Sequence, residues 1–291
     1  MSTSSIDSTG LGVTVPAPAA AARAPAAARV LSKARKGQIL SVLSFVAMML
    51  AWVAVTTPFN GKPLVAPLFL PSPLRVWNTF VDLLVTGYQG HSLLGHYGIS
   101  MWRFLVAFAL CMLVGVPVGL MMGMYKYVQA VFDPPIEITR PIPKLALLPL
   151  FIVWFGVGEF AKVFVIVSAI FPLISINAMQ AVKGVNIRKI QAAQALGATQ
   201  GLIIRRIILP ASLPGIFTGI RVAVGVGVTM LVGAEMVATS NGIAWMALTA
   251  SDFLRTDIVL VGVLIMALTG YLLDLLVRFV EQRLVHWSGR E

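Results

Sequence analysis

Charge is what this sequence has least of. Only 11% of its 291 residues are Asp, Glu, Lys or Arg, whereas 58% are hydrophobic; a soluble domain usually carries about 25% charge. That deficit excludes an ordinary water-facing surface and points to lipid. Acid is scarcer than base, with 11 Asp and Glu against 22 Lys and Arg and a net charge of +11. An excess of base can serve nucleic acid. Here the bases flank apolar runs and form no stripe, so membrane topology accounts for them and nucleic acid is not expected as a partner. The single cysteine, Cys111, lies inside an apolar run. It excludes a disulfide within the chain and reads as a small packing residue. Nucleotide and hydrolase signatures are missing: no G-x-x-x-x-G-K-[ST], no H-E-x-x-H, no paired cysteines and no G-x-S-x-G. The pair Gly225 and Gly227 lies in an apolar helix with no preceding strand and is not a dinucleotide fingerprint. His91 and His96 have no thiol or carboxylate beside them and read as surface or interface histidines, with no metal implied. Nothing argues for an enzyme.

What is present is a set of apolar runs. Residues 1–37 begin with Ser and Thr, pass through an Ala/Pro tract and end on Arg29, Lys33, Arg35 and Lys36. This composition cannot bury a core and is expected to be disordered, with its bases holding the N-terminus in the cytoplasm. Cleavage as a targeting peptide is disfavoured, because no small-residue exit site follows the apolar run. The remainder, 38–291, reads as one membrane domain. Spans are expected at Ile39 to Thr57, Phe104 to Met124, Leu145 to Gly158, Val163 to Val182, Leu213 to Val237 and Asp257 to Leu276. The third is short for a crossing and is taken as a span starting near Arg140, because the later topology then closes. Leu74 to Leu84 has helical apolar spacing and should lie on the outer surface. Arg103 is placed at an outer start, free to snorkel outward. Phe132 to Lys144 reads as a short proline-rich cytoplasmic piece and Gly156 to Lys162 as a tight outer turn. Ala238 to Thr256 reads as lying outside. Gly115, Gly119 and Gly123 form a smooth ridge for a neighbouring helix, as do Gly219, Ala223 and Gly227. Pro117 is expected to kink its helix.

Polar residues within spans are few. Arg221 and Glu235 share a face of the fifth span but lie about 21 Å apart along a straight helix, so they cannot pair with each other. Each needs another partner or a watery path. Intramembrane charge is a functional candidate by default, so both are candidate substrate-path residues. A role in helix packing, or for Glu235 at the outer interface, is the alternative. A channel or proton-coupled carrier usually shows functional charge in several spans, which this chain does not. A structural membrane anchor is a third class.

The polar stretch from Gln191 to Pro214 lies between membrane-length segments. Ile187 to Leu196 favours a short helix, rich in Ala and Gln. Gly197 can terminate it in a left-handed conformation, a second helical piece carries Arg205 and Arg206, and Pro210 and Pro214 mark a turn or helix start. The whole loop, 183–212, has Lys183, Arg188, Lys189, Arg205 and Arg206 and no acid, a cytoplasmic signal. Six spans then return both termini to the cytoplasm.

This stretch resembles the EAA loop of ABC importer membrane subunits. The family pattern is E-A-A, three residues, G, nine residues, then I-x-L-P. Ala192, Ala193, Gly197, Ile207, Leu209 and Pro210 fall in register, with Gln191 where the pattern has glutamate. The resemblance extends over roughly residues 64–291. It implies an all-α, polytopic permease of about six transmembrane helices with the type I importer fold, working as a homodimer in a bacterial inner membrane. It implies that the loop docks on a separate ATPase. The expected partners are two ATPase subunits, a periplasmic substrate-binding protein and a second copy of the chain. No cofactor is expected on this chain, with ATP and magnesium on the ATPase. The stretch from Arg140 to Glu159 resembles the corresponding piece of sulfonate and nitrate importer permeases, and the run from Ala234 to Ala244 and the closing Arg283 to Glu291 most resemble taurine and aliphatic sulfonate permeases. Importers of nitrate, bicarbonate or pyrimidine precursors share much of the pattern.

Overall fold

The computed structural model describes residues 24–57, 63–237 and 239–286, with side chains from Ile39 onward. Residues 1–23 of the N-terminal segment, Ala238 and the end of the closing run, from Trp287, lie outside the described residues. Among those described, the chain is helical: α1 (Ala24–Thr56), α2 (Pro73–Thr86), α3 (Leu93–Met124), α4 (Lys126–Thr139), α5 (Leu148–Phe155), α6 (Glu159–Lys183), α7 (Ile187–Ala195), α8 (Gln200–Ile203), α9 (Leu209–Glu235), α10 (Ile243–Asp252) and α11 (Thr256–Leu284). Five helices are long and apolar enough to cross a membrane: Ile39–Thr56, Leu93–Met124, Glu159–Lys183, Gln200–Glu235 and Thr256–Leu284.

Where the third span is expected, Lys126–Thr139 and Lys144–Phe155 form a helix pair bent by 88°, a broken span or a re-entrant loop. The stretch expected to be an irregular piece, Phe132 to Lys144, is mostly the end of α4, with Pro134 and Pro135 inside the helix. Interior proline costs about 3 kcal/mol in helix formation, and burial of Ile136 in a cluster with Val118, Met122, Ile176 and Met179 opposes that cost. The bend falls at Arg140–Pro143, and a 3-10 turn over Lys144–Leu147 leads into α5. Gly156, at φ +80°, ends α5, and Gly158 caps α6, so the outer turn is tighter than expected and Glu159 to Lys162 already belong to the helix.

The helix α6 is the centre of the fold. Half of its apolar window is buried, against 6% for α1. Its buried Ile166, Ile170 and Ile174 recur every fourth residue and form one stripe. Both small-residue ridges pack onto α6. A Cβ on Gly119 would fall 2.3 Å from the Ser175 carbonyl oxygen and 2.7 Å from the Ala178 Cβ, and one on Gly123 2.6 Å from Val182. On α9, a Cβ on Gly219 would meet Asn177 at 2.4 Å and one on Gly227 would meet Ile170 at 2.6 Å. Without side chains at these positions the helix backbones approach closely, which is how packing is gained where lipid removes the hydrophobic drive.

Residues 24–37, expected to be disordered, are helical and continuous with the first span. Of the two readings of Pro210 and Pro214, a turn or a helix start, the helix start holds for Pro210, which stands in the first turn of α9 after α8 has run through a π-helical turn at Ile204–Ile208; Pro214 lies inside α9. Widening one turn just before Pro210 accommodates a residue that has no amide to donate and whose ring crowds the preceding turn. Ala238 to Thr256 is more than a loop: α10 lies within it and buries Ile243, Ala244, Met246 and Ala250. The helix α2 forms where the apolar spacing predicts, with Ser72 as its cap and Val76, Thr79 and Leu83 inward. Thr79 Oγ1 donates to Asp257 Oδ2 at 3.0 Å, tying α2 to the start of α11.

Candidate functional site

The loop 183–212 forms a compact projecting unit. Asn186 caps α7, its Oδ1 accepting from the Arg188 amide at 2.9 Å. The helix ends in a paired-bond cap. The Gly197 amide donates to the Gln194 carbonyl at 2.9 Å and the Ala198 amide to the Ala193 carbonyl at 3.0 Å, with Gly197 at φ +78°. This is the Schellman arrangement, which needs a left-handed residue at that position, and glycine takes it without steric cost. Gln191, Ala192 and Gly197 are exposed, and Ala193 is half-buried. Nothing lies within 4 Å of a Cβ built on Gly197. Ile187 and Leu196 stand 60% and 88% exposed on the same unit. Ile207, Leu209 and Pro210 are half-buried where α9 begins. The unit is therefore rigid by its caps and carries apolar side chains that nothing among the described residues covers.

A second constellation sits where the first ends of α3 and α6 meet the last turn of α9. Arg103 has no exposed surface, contrary to the expectation that it snorkels. Its Nε and Nη2 donate to Glu159 Oε2 at 2.5 Å and Oε1 at 2.8 Å, a bidentate pair. Its Nη1 donates to Glu235 Oε1 at 2.8 Å and to the Asn241 carbonyl at 3.0 Å, and Nη2 to Asn241 Oδ1 at 2.6 Å. Glu235, also fully buried, accepts further from Ser100 Oγ at 2.7 Å and from the Ala244 amide at 3.1 Å. Lys162 Nζ donates to Glu159 Oε1 at 3.0 Å. His96 is buried rather than superficial: its Nδ1 accepts from the Gly242 amide at 3.1 Å, so Nε2 carries the proton that meets the Tyr88 carbonyl at 3.2 Å. Gly242, at φ +119°, lies so close that a Cβ would fall 2.4 Å from the Glu235 carboxyl carbon. Among the described residues no buried side-chain polar atom lacks a hydrogen bond. The cluster can bind helices together at one end of the bundle, with Glu159 at its exposed edge.

Spacing alone separated Arg221 from Glu235, and the structure gives each its own partner. Arg221 Nε donates to Asp274 Oδ1 at 2.9 Å, and Arg278 Nε to Asp274 Oδ2 at 2.8 Å. Arg221 and Asp274 line a cavity of about 750 Å³ between α9, α10 and α11, whose wall also holds the hydroxyls of Thr229, Ser251 and Tyr271 and is otherwise apolar, with residues such as Val228 and Met266. The sequence reading missed the Arg103–Glu235 pairing. Its available signal was that Arg103, Glu159 and Glu235 all fall at the outer ends expected of the second, fourth and fifth spans. Among the described residues no group of His, Cys, Asp and Glu could hold a metal.

Comparison with known proteins agrees with this architecture. Residues 115–286 match the profile of a family described as "binding-protein-dependent transport system inner membrane component". The chain is 39% identical over 251 residues to the taurine transport system permease protein of Escherichia coli, covering 86% of this chain and 90% of that protein. It is 33% identical to a provisionally designated aliphatic sulfonates transport permease protein of Bacillus subtilis, covering 81% and 84%. Among solved structures, an amino acid ABC transporter matches with a TM-score of 0.52 at 17% identity, covering 72% of this chain and 96% of that one.

Proposed function

This chain belongs to the family of binding-protein-dependent transport system inner membrane components, and we propose that it forms the path for a small sulfonate of the taurine class. Membership makes it a multi-pass inner-membrane permease subunit of an ABC importer, a transport component rather than an enzyme, working with an ATPase and a substrate-binding protein. The substrate class rests on one observation: 39% identity to a taurine permease across 86% of the chain.

The remaining roles belong to this reading. The permease acts as a homodimer with two ATPase subunits, which hold ATP and magnesium. The binding protein delivers the anion from outside, and both termini lie in the cytoplasm. The coupling unit is α7 with its Gly197 cap; Gln191, Ala192, Ala193 and Gly197 form the docking face, and Ile207, Leu209 and Pro210 join that face to α9. The exposed Ile187 and Leu196 support it, because water-facing apolar side chains on a capped helix await a partner surface. Movement of α7 then reaches the centre of the fold through α8 and α9, which form one rod. Arg221 flanks the path, its charge held by Asp274. Glu235 positions the ends of α3, α9 and α10 through Arg103. The test is uptake by the reconstituted complex with a panel of sulfonates, nitrate and bicarbonate. Sulfonate-dependent uptake and ATPase stimulation are expected; stimulation by nitrate alone would replace the reading.

A further inference from the structure

Two cations of this chain share a cleft whose walls hold no acid. The corner after α4 carries Arg140 and Lys144. Both line a cavity of about 330 Å³ against α6 and α9, with Asn177 and Gln180 on one wall and Val222 and Val226 on the other, and no lining residue is Asp or Glu. The intramembrane arginines differ: Arg103 faces Glu159 and Glu235, and Arg221 faces Asp274. Lys144 Nζ turns to the Thr139 carbonyl, a neutral acceptor. The carboxylate near Arg140 is Glu137, at 3.7 Å, with both side chains more than half exposed, and such a pair in water does little to hold its partners. The positive charge of the cleft is therefore poorly compensated.

Its position suits a route. Gln180 lies close to the basic end of α6 at Lys183, and Ala169 lines the far end of the cavity. From Ala169 to Gln180 is about 16 Å along the helix, roughly half the thickness of a bilayer core. The cleft thus runs from mid-span to the end of the bundle opposite the Arg103 cluster. Its chemistry suits an oxyanion. A guanidinium fork and a compact ammonium supply charge-assisted donors, while the two carboxamides add donors without adding charge. Asn177 Nδ2 already donates to the Leu173 carbonyl at 2.7 Å, which holds that side chain in place. Val222 and Val226 offer an apolar wall for a short carbon chain.

We propose that this cleft is the inward release site for the transported anion, with Arg140 and Lys144 binding its sulfonate and Asn177 and Gln180 orienting it. The proposal rests on the sulfonate reading of the chain. Arg140, held loosely and largely in water, lets the anion leave, and a release site must bind well enough to be entered and weakly enough to be emptied.

The test uses the whole complex of permease, ATPase and binding protein in proteoliposomes, with taurine as the probe. The variants are Arg140→Gln, Lys144→Gln, the charge-keeping Arg140→Lys and Lys144→Arg, and Arg283→Gln as a cation outside the cleft. At matched expression and matched ATPase content, each glutamine variant of the cleft should lower uptake about tenfold, the scale of one lost charged hydrogen bond. Basal ATPase should hold, the charge-keeping variants should keep most uptake, and Arg283→Gln should match the parent. Parental uptake by both glutamine variants would overturn the proposal. So would charge-keeping variants as defective as the glutamines, since that marks a role in shaping the corner. Liposomes of phosphatidylcholine alone and with added phosphatidylglycerol separate the sources of an oxyanion. An equal defect in both supports the substrate, whereas a defect only with phosphatidylglycerol assigns the cleft to lipid phosphate and overturns the proposal. A parent complex that moves no sulfonate overturns the functional reading itself, and with it the identity of the anion in the cleft.

Discussion

Arg103 and Glu235 are each without exposed surface, and this makes the pair a test of what holds the bundle end together. Removing one partner of a buried ion pair leaves an uncompensated charge, at a cost of about 3–5 kcal/mol. Arg103→Met should therefore lower the thermal stability of the permease in detergent by about that amount. Adding Glu235→Gln to it should recover part of the loss, because the stranded charge is gone and the Ser100 and Ala244 bonds can persist. Equal stability of Arg103→Met and parent would mean that the Glu159 and Asn241 contacts carry nothing. Arg221 differs because Asp274 retains Arg278 when it is removed. Arg221→Gln should leave folding, assembly and basal ATPase near parental levels while uptake falls. Equal uptake by variant and parent at matched expression would remove Arg221 from the path.

At the scale of elements, the contact of α3 with α6 depends on hydrogen atoms where side chains would stand. Leucine at Gly119 cannot fit, since even its Cβ would lie 2.3 Å from the Ser175 carbonyl oxygen. Overpacking of this kind costs about 1–3 kcal/mol or more. Gly119→Leu should lower the melting temperature in detergent and expose α3 to proteolysis; an unchanged melting curve would show that the helices separate without loss. The α7 cap behaves differently. Open space surrounds Gly197 in the chain itself, so Gly197→Asp strains only a left-handed backbone, about 1 kcal/mol. It should leave the membrane bundle folded and abolish ATPase co-purification or substrate-stimulated hydrolysis. Normal stimulation in that variant would detach the cap from coupling.

For the whole molecule, the surface left uncovered is as informative as the core. The first span is 6% buried against its own chain, and the α9–α10–α11 cavity is open and mostly apolar, with Arg221 and Asp274 in its wall. A single copy gains little packing from either feature. Native mass spectrometry of the purified importer should find two copies of this chain with two ATPase subunits, and a complex containing one copy would overturn the homodimer.

The sequence by itself determined where the apolar runs lie, because span length and charge depletion are local properties set by bilayer thickness. It determined the cap at Gly197, since a left-handed stop needs glycine whatever surrounds it. The two glycine ridges were also legible, because helical period places them on one face. Tertiary structure decided what those faces meet. It brought Arg103, Glu159 and Glu235 together from three spans, buried His96 under Gly242, and packed Ile243–Asp252 as a helix. It carried α4 through Pro134 and Pro135, where burial of Ile136 opposes the local cost. A charge in a span must find a partner, and which partner depends on how far helices slide and rotate against one another. That is fixed by the sum of many long-range contacts, none of which is written in any single run of residues.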